Sequence, residues 1–424
     1  MPLPPSPSIV PIGFDTAQRP AMTARMLVLI LSALLGIQPI TTDLYLPALP
    51  ALTSGFGASM SQAQLTLTGL LLAFGVSQLV WGPLSDRFGR RPVLLLGLSA
   101  YIVASIGSAL AASMELLITW RIVQGAAMGA GVMAARAIIR DLYSPAEGAR
   151  MMSKGLSGLA VVACLSAPLG GLLSDLISWR AALLALSVFG AASLGLIALC
   201  FQETIPTKNP RALEFGSLWR NWRMIARNPT FRAYSALSAT SYGGLFTFLA
   251  ASSFVFIQVL HLGKTEYGLL MFSMSFVYML GTFACRRMLP RLGVRRCVAV
   301  ACYATLASGV LMAAFALAGW CNGTWGVWFI MVPQYLFMLG HGVHQPCGQS
   351  GAVGPFPQAA GAASALNGFV MMLAAFAMGG WLGTHMDGTV FPLTNGMLFW
   401  SVLIALSGWT LVQRHGEPRP GPTP

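Results

Sequence analysis

The sequence predicts an all-α membrane protein with twelve transmembrane helices in two pseudo-symmetric six-helix bundles. Hydrophobic residues make up 56% of the 424-residue chain and charged residues only 9%. A soluble globular chain carries about 25% charged residues, so too little charge is present to coat a water-facing surface, and the solvent must be mostly lipid. Residues 297–386 contain no Asp, Glu, Lys or Arg. A spanning helix takes roughly 20 apolar residues, which leaves room there for three or more. Two sequence patterns of the first half also recur in the second.

In chain order, residues 1–24, with Pro2, Pro4, Pro5, Pro7 and Pro11, read as a flexible cytoplasmic tail. They lack the charged, apolar, cleavage-site layout of a signal peptide, and the apolar run from Met26 is long enough to be a retained helix. Apolar length, turn residues and charge place six spans in an N-terminal bundle, 25–201: near 26–48, 62–84, 93–112, 116–138, 155–174 and 180–201. A charged stretch with Pro206 and Pro210, residues 202–231, reads as a cytoplasmic linker. Six more spans in a C-terminal bundle, 232–412, fall near 232–258, 267–285, 297–319, 325–347, 361–384 and 391–412, followed by a cytoplasmic tail, 413–424. Asn322-Gly323 and Gly354-Pro355-Phe356-Pro357 are turn chemistry at two of the breaks.

The net charge of +13 would suit a nucleic-acid partner, but its distribution reads as topogenic. Arg87, Arg90, Arg91, Arg140, Arg150, Lys154, the linker residues Lys208, Arg211, Arg220, Arg223, Arg227 and Arg232, and then Arg286, Arg287, Arg291, Arg295 and Arg296 all fall on one side. Arg180 and Lys264 fall on the other. Basic loops stay in the cytoplasm, so both termini are expected there. The seven cysteines form no CxxC spacing, and Cys164, Cys285 and Cys302 sit in apolar spans, so neither a disulfide framework nor a zinc site follows.

Asp86-Arg87-Phe88-Gly89-Arg90-Arg91 after span two is echoed by Arg291-Leu292-Gly293-Val294-Arg295-Arg296 after span eight. Met128-Gly129-Ala130-Gly131-Val132 in span four is echoed by Leu339-Gly340-His341-Gly342-Val343 in span ten. Two echoes in equivalent spans argue for a duplicated six-helix unit. Transporters built from such repeats hold substrate near the membrane midplane, between the halves.

Ionisable groups inside spans are costly and therefore functional candidates. Asp43 lies late in span one and Arg121 early in span four, both in the outer half of the membrane, so a direct or water-bridged pair is expected. One reading is a register-fixing buried pair. The other is a carboxyl that takes up and releases a proton, poised between burial, which raises its pKa, and a guanidinium, which lowers it. Gln124, three residues after Arg121, shares its helical face, and Gly125 and Gly129 permit close helix approach. In Gly82-Pro83-Leu84-Ser85-Asp86-Arg87-Phe88-Gly89-Arg90-Arg91-Pro92 the glycines allow a tight turn. Asp86 stands near the start of span three, where a helix N-terminus favours negative charge. Ala167-Pro168-Leu169-Gly170-Gly171 has the composition of a bend in span five.

These stretches carry a resemblance. Gly82–Arg91 resembles motif A of the major facilitator superfamily, Arg121-x-x-Gln124-Gly125 its motif B, and Pro168-x-Gly170-Gly171 its antiporter motif C, with Ala167 where glycine is usual. Asp43-Leu44-Tyr45-Leu46-Pro47-Ala48-Leu49-Pro50 and Ala135-Arg136-Ala137-Ile138-Ile139-Arg140-Asp141-Leu142-Tyr143 are similar to the bicyclomycin-resistance and chloramphenicol-efflux subfamily of drug:proton antiporters. The resemblance covers residues 26–412 and departs near His341–Pro346. It implies alternating access and Asp43 with Arg121 as the proton-coupling pair. It further implies a bacterial inner-membrane location, a monomer, and the proton gradient as energy source with no cofactor. A small, largely apolar drug is the implied substrate; a native metabolite or siderophore exported by the same mechanism is the alternative. An embedded enzyme or receptor would need a nucleophile–base or metal constellation, or a folded soluble domain, and the chain shows neither.

His341 and His344, three apart in span ten, could bind a metal, handle substrate or protons, or simply pack; no Asp or Glu in the span completes a metal set. Tyr45, Gln124, Tyr242, Phe246, Gln334, Tyr335 and Asn367, with the two histidines, are candidate lining for an apolar cavity with a few polar contacts.

Overall fold

The computed structural model describes residues 23–416 apart from 144, 206, 211 and 324. The N-terminal tail up to residue 22 and the last eight residues, 417–424, therefore lie outside the described residues. The described chain is all helix and turn. Helix α1 spans Ala24–Asp43 and continues through a 3₁₀ turn, Leu46–Ala48, into α2, Leu49–Phe56. Then follow α3 Met60–Phe88, α4 Arg90–Ala109, α5 Met114–Leu142, α6 Pro145–Leu176 and α7 Trp179–Cys200. After α8, Phe215–Arg227, come α9 Pro229–Phe254, α10 Lys264–Leu317, α11 Gly326–Val353, α12 Ala360–His385, α13 Phe391–Leu406 and α14 Val412–His415.

The starts follow from capping chemistry. Ser59 and Gln62 form a reciprocal capping box on α3, Ser113 and Ser178 cap α5 and α7, and Asn228 caps α9 with proline at the first helical position. Among the described residues, eleven helical segments are long and apolar enough to cross a membrane. One of them, α10, has 54 residues, about 80 Å of helix against a hydrocarbon core of about 30 Å. Gly293, at φ 69° and ψ 168°, breaks it into 264–292 and 294–317, which gives twelve spans. Gly89, at φ 111° and ψ 160°, makes the same extended turn between α3 and α4. The two glycines of the repeated sequence thus do the same work in both halves, in a backbone region that side chains disfavour.

Within the first half, α1 packs on α5 and α6, and α3 and α4 pack on α5; within the second, α9 packs on α11, α12 and α13, and α10 packs on α11 and α13. Two seams join the halves, α3 against α12 and α6 against α10. One end of the molecule carries Arg90, Arg140 and the α8 linker and is called the arginine-rich end below.

Three details differ from the sequence reading. The stretch 202–231 contains a helix, α8. Helix α6 begins at Pro145 rather than near 155, and the first span runs on to Phe56. Apolar length marks where lipid begins, whereas hydrogen-bonded turns carry on into the polar zone.

Candidate functional site

Arg121 is fully buried and is the hub of a polar network between four helices. Its Nη1 donates to Gln124 Oε1 at 2.6 Å, its Nη2 to the Thr41 carbonyl at 3.1 Å and its Nε to the Thr66 carbonyl at 3.4 Å. Its Cζ lies 4.4 Å from the centre of the Tyr45 ring, a cation–π contact strengthened by the dry surroundings. Tyr45 in turn donates to Thr66 Oγ1 at 2.9 Å, Gln124 to Ser105 at 2.6 Å, and Thr41 Oγ1 lies 2.7 Å from Tyr101 Oη. A buried cation needs its donors satisfied, and here carbonyls, an amide and a π face do that. The spacing also explains Gly125: a methyl group there would stand about 2.0 Å from the Leu70 carbonyl oxygen, so only glycine lets α5 sit close enough to α3.

The direct contact expected between Asp43 and Arg121 is not made. Among the described residues no ion pair joins the two; the Asp43 carboxylate accepts from Thr42 Oγ1 at 2.8 Å. Arg121 instead holds the Thr41 carbonyl on the same turn. Thr42, the neighbour of Asp43, lines a cavity together with Tyr242, Phe246 and Leu249 of α9, in the other half.

This cavity, of about 10 Å³, is lined by Thr42, Leu46, Leu67, Leu71, Tyr242, Phe246 and Leu249. That volume is room for about one water. Side-chain contacts bridge the two halves at both ends of the junction. At the end opposite the arginines, Gln64 donates to the Ala250 carbonyl at 2.9 Å, and Lys264 and Thr265 hold Asp175 at 3.7 and 2.6 Å. At the arginine-rich end Arg136 donates to Ser364 Oγ across the α5–α12 contact.

Of the cavity residues expected from sequence, Tyr242 and Phe246 line it. Tyr45 and Gln124 belong to the Arg121 network instead. Gln334 and Asn367 are buried and donate to Met274 and Met371 sulfurs, and Tyr335 Oη lies 2.7 Å from Ser273 Oγ. His341 Nδ1 is 2.8 Å from Ser241 Oγ, its ring packed against Phe337 and Tyr278. His344 lies beside the Ala301 main chain. Among the described residues no three His, Cys, Asp or Glu side chains are grouped to hold a metal.

At the arginine-rich end, Arg90 is the buried centre. It pairs with Asp86 at 2.7 Å and Asp141 at 2.8 Å and donates to Ser85 Oγ at 2.6 Å. Arg140 approaches Asp86 at 3.5 Å, and Arg91 Nη2 donates to the Ala198 carbonyl at 2.9 Å. Asp86 does not serve the N-terminus of α4. That place is taken by Glu203, whose oxygens accept from the main-chain N–H groups of Arg90 and Arg91 at 2.9 and 3.1 Å. Burial alone would raise the Glu203 pKa, but the N–H donors of Arg90, Ile205, Arg91 and Thr204 together hold it below the usual carboxylate value. Sequence reasoning missed Glu203; the signal was an acid just past span six, beside a helix start with no capping side chain of its own. Arg87 lies over the Phe88 ring, Cζ 5.5 Å from its centre.

The segment 167–171 is a close-approach surface. Helix α6 runs uninterrupted through Pro168. A methyl group on Gly170 would meet the Leu44 carbonyl oxygen at about 2.0 Å, and one on Gly171 the Lys264 carbonyl oxygen at about 2.5 Å.

Among the described residues the chain has twelve spans in two matching halves, with a buried charged hub in the first, the arrangement of a membrane transporter. Residues 31–380 match the Major Facilitator Superfamily, and the chain belongs to that family. It is 31% identical to Multidrug resistance protein D of Escherichia coli over 81% of this chain and 84% of that protein. It is 27% identical to the Bicyclomycin resistance protein homolog of Haemophilus influenzae, over 92% and 97%, and 28% identical to the Chloramphenicol resistance protein of Pseudomonas aeruginosa, over 89% and 86%. The fold matches the partially occluded, inward-open xylose transporter XylE of E. coli at a TM-score of 0.71 and 12% identity, over 95% of this chain and 99% of that one.

Proposed function

We propose that the protein is a proton-coupled exporter of small, largely apolar drugs, such as bicyclomycin- or chloramphenicol-like compounds, working by alternating access. The observation that carries this reading is the position of Asp43. It follows the cavity-lining Thr42 and is bonded to a hydroxyl rather than locked to an arginine. Such a carboxyl can exchange a proton when the seams open. The cavity around it is apolar apart from Thr42 and Tyr242, which suits apolar cargo. The names of the relatives support drug efflux. The arginine-rich end faces the cytoplasm, with both termini there, in a bacterial inner membrane; the protein acts as a monomer on the proton gradient, without a cofactor.

The test is a panel of drug-accumulation assays in an efflux-deficient host, with and without a protonophore. Expression of the protein should lower accumulation of several apolar drugs, and the protonophore should restore it. Accumulation unchanged by the protein across the panel would overturn the reading; lowered accumulation insensitive to the protonophore would overturn the coupling.

A further inference from the structure

Helix α8 joins the end of α7 to the start of α9 and packs on α9 and α12. It therefore lies at the arginine-rich end, level with the helix starts at Arg90 and Ala360. Its sequence, Phe215-Gly-Ser-Leu-Trp-Arg-Asn-Trp-Arg-Met-Ile-Ala-Arg227, contains no acid. Leu218, Trp222 and Ile225 share one face, and Ile225 is completely buried against the protein. The remaining face is the unusual one. Trp219 is 57% exposed and Met224 53% exposed, while Arg220, Arg223 and Arg227 are exposed around them. Arg232 closes the helix end by donating to the Ala226 carbonyl at 2.7 Å, so the helix is fixed at its hinge with α9.

Exposed Trp and Met beside three arginines would be poorly placed in water. In the plane of a membrane interface they are complementary to their surroundings: the indole sits at headgroup level, the Met among the upper acyl carbons, and the guanidinium groups on phosphate. We infer that α8 is a docking site for anionic phospholipid headgroups of the leaflet at the arginine-rich end, held by Arg220, Arg223 and Arg227 and anchored by Trp219. This does not depend on the identity of the cargo or on proton coupling.

The test uses the full chain in nanodiscs of phosphatidylcholine alone and in graded mixtures with phosphatidylglycerol, some lipids carrying brominated chains that quench tryptophan. The Trp219 signal is the difference between the wild type and Trp219→Phe. Quenching by brominated phosphatidylglycerol should saturate at low content in the wild type and weaken with salt. In Arg220→Gln/Arg223→Gln/Arg227→Gln the half-saturating content should rise by at least fivefold, the effect of about one interfacial arginine. That triple variant changes only exposed side chains, and a monodisperse elution profile checks its fold. Equal quenching by brominated phosphatidylcholine and phosphatidylglycerol would overturn the anionic preference. Absence of quenching by either would show that α8 faces water or another protein, and would overturn the proposal entirely.

Discussion

Arg121 Nη2 lies 3.1 Å from the Thr41 carbonyl oxygen, on the turn of α1 that carries Asp43. The guanidinium therefore sets where Asp43 stands by holding its backbone, through bonds that point three ways, to α1, α3 and α5. A lysine keeps the charge but presents a single ammonium without the planar fork.

Arg121→Lys should accordingly be nearly as damaging as Arg121→Met. Each loses at least one charge-assisted hydrogen bond, worth about 1.5–3 kcal/mol. Both should lower the melting temperature in detergent and reduce transport severely. A lysine variant with wild-type melting and transport would show that charge alone matters.

At the other end, the two carboxylates on Arg90 differ in burial. The Asp141 side chain is 8% exposed and that of Asp86 37%. Asp141→Asn should cost about 3–5 kcal/mol, as expected when a buried pair loses one member. Asp86→Asn should cost about 1 kcal/mol or less, express well, and still impair transport, because Arg140 and Arg90 both lean on it. Comparable melting points for the two variants would contradict this ordering.

Glu203 supplies a pH signature. Its carboxyl is held below its usual value by the main-chain donors at the start of α4. The stability it contributes is therefore fully present above the ordinary glutamate pKa, about 4.3, and is lost as pH falls through the lower folded value. Thermal unfolding of wild type and Glu203→Gln should differ at neutral pH and converge in acid. Equal melting at neutral pH would remove the cap from the account.

The glycine of the α6 seam separates stability from conformational balance. A methyl at Gly171 would press on the Lys264 carbonyl across the two halves, whereas Gly195 has nothing within 4 Å. Gly171→Ala should prise the seam open, lowering transport and making Thr265→Cys accessible to thiol reagents in an otherwise cysteine-free background. Gly195→Ala should change neither. Unchanged labelling in Gly171→Ala would mean that the seam tolerates the methyl group.

The spans were legible because lipid imposes one demand on all of them, about 20 apolar residues, and even the Gly89–Gly293 equivalence could be read from the repeated sequence. Depth within the membrane was legible too, which brought Asp43 and Arg121 to the same level. Their side-chain directions were not: the pull of two carbonyls on Arg121 leaves no mark in the sequence. Leu46, Leu67 and Leu71 at the cavity look like any lipid-facing leucine. Helix α8 escaped notice because apolar length, the signal that finds spans, is blind to a short helix with only one apolar face.

Asp43 exposes the mechanism most directly. Antiport requires a site where protonation and cargo occupancy oppose each other, since otherwise the gradient cannot drive efflux. Asp43 is the carboxylate next to the cavity-lining Thr42, and among the described residues its hydrogen bond comes from Thr42 Oγ1 at 2.8 Å, a neutral donor that a protonated carboxyl can keep. Asparagine keeps the size and accepts the same bond but cannot ionise. Asp43→Asn should therefore abolish gradient-driven efflux while leaving neutral drugs able to bind or exchange passively. Because Arg121 holds the Thr41 backbone rather than the carboxylate, Arg121→Met should transport poorly yet still release protons from Asp43. The measurement is drug-induced proton release from the detergent-solubilised protein in lightly buffered solution. Wild type should release protons, Arg121→Met should release them with altered drug affinity, and Asp43→Asn should release none. Undiminished release from Asp43→Asn would move the coupling to another group, with His341 and its Ser241 contact the next place to look.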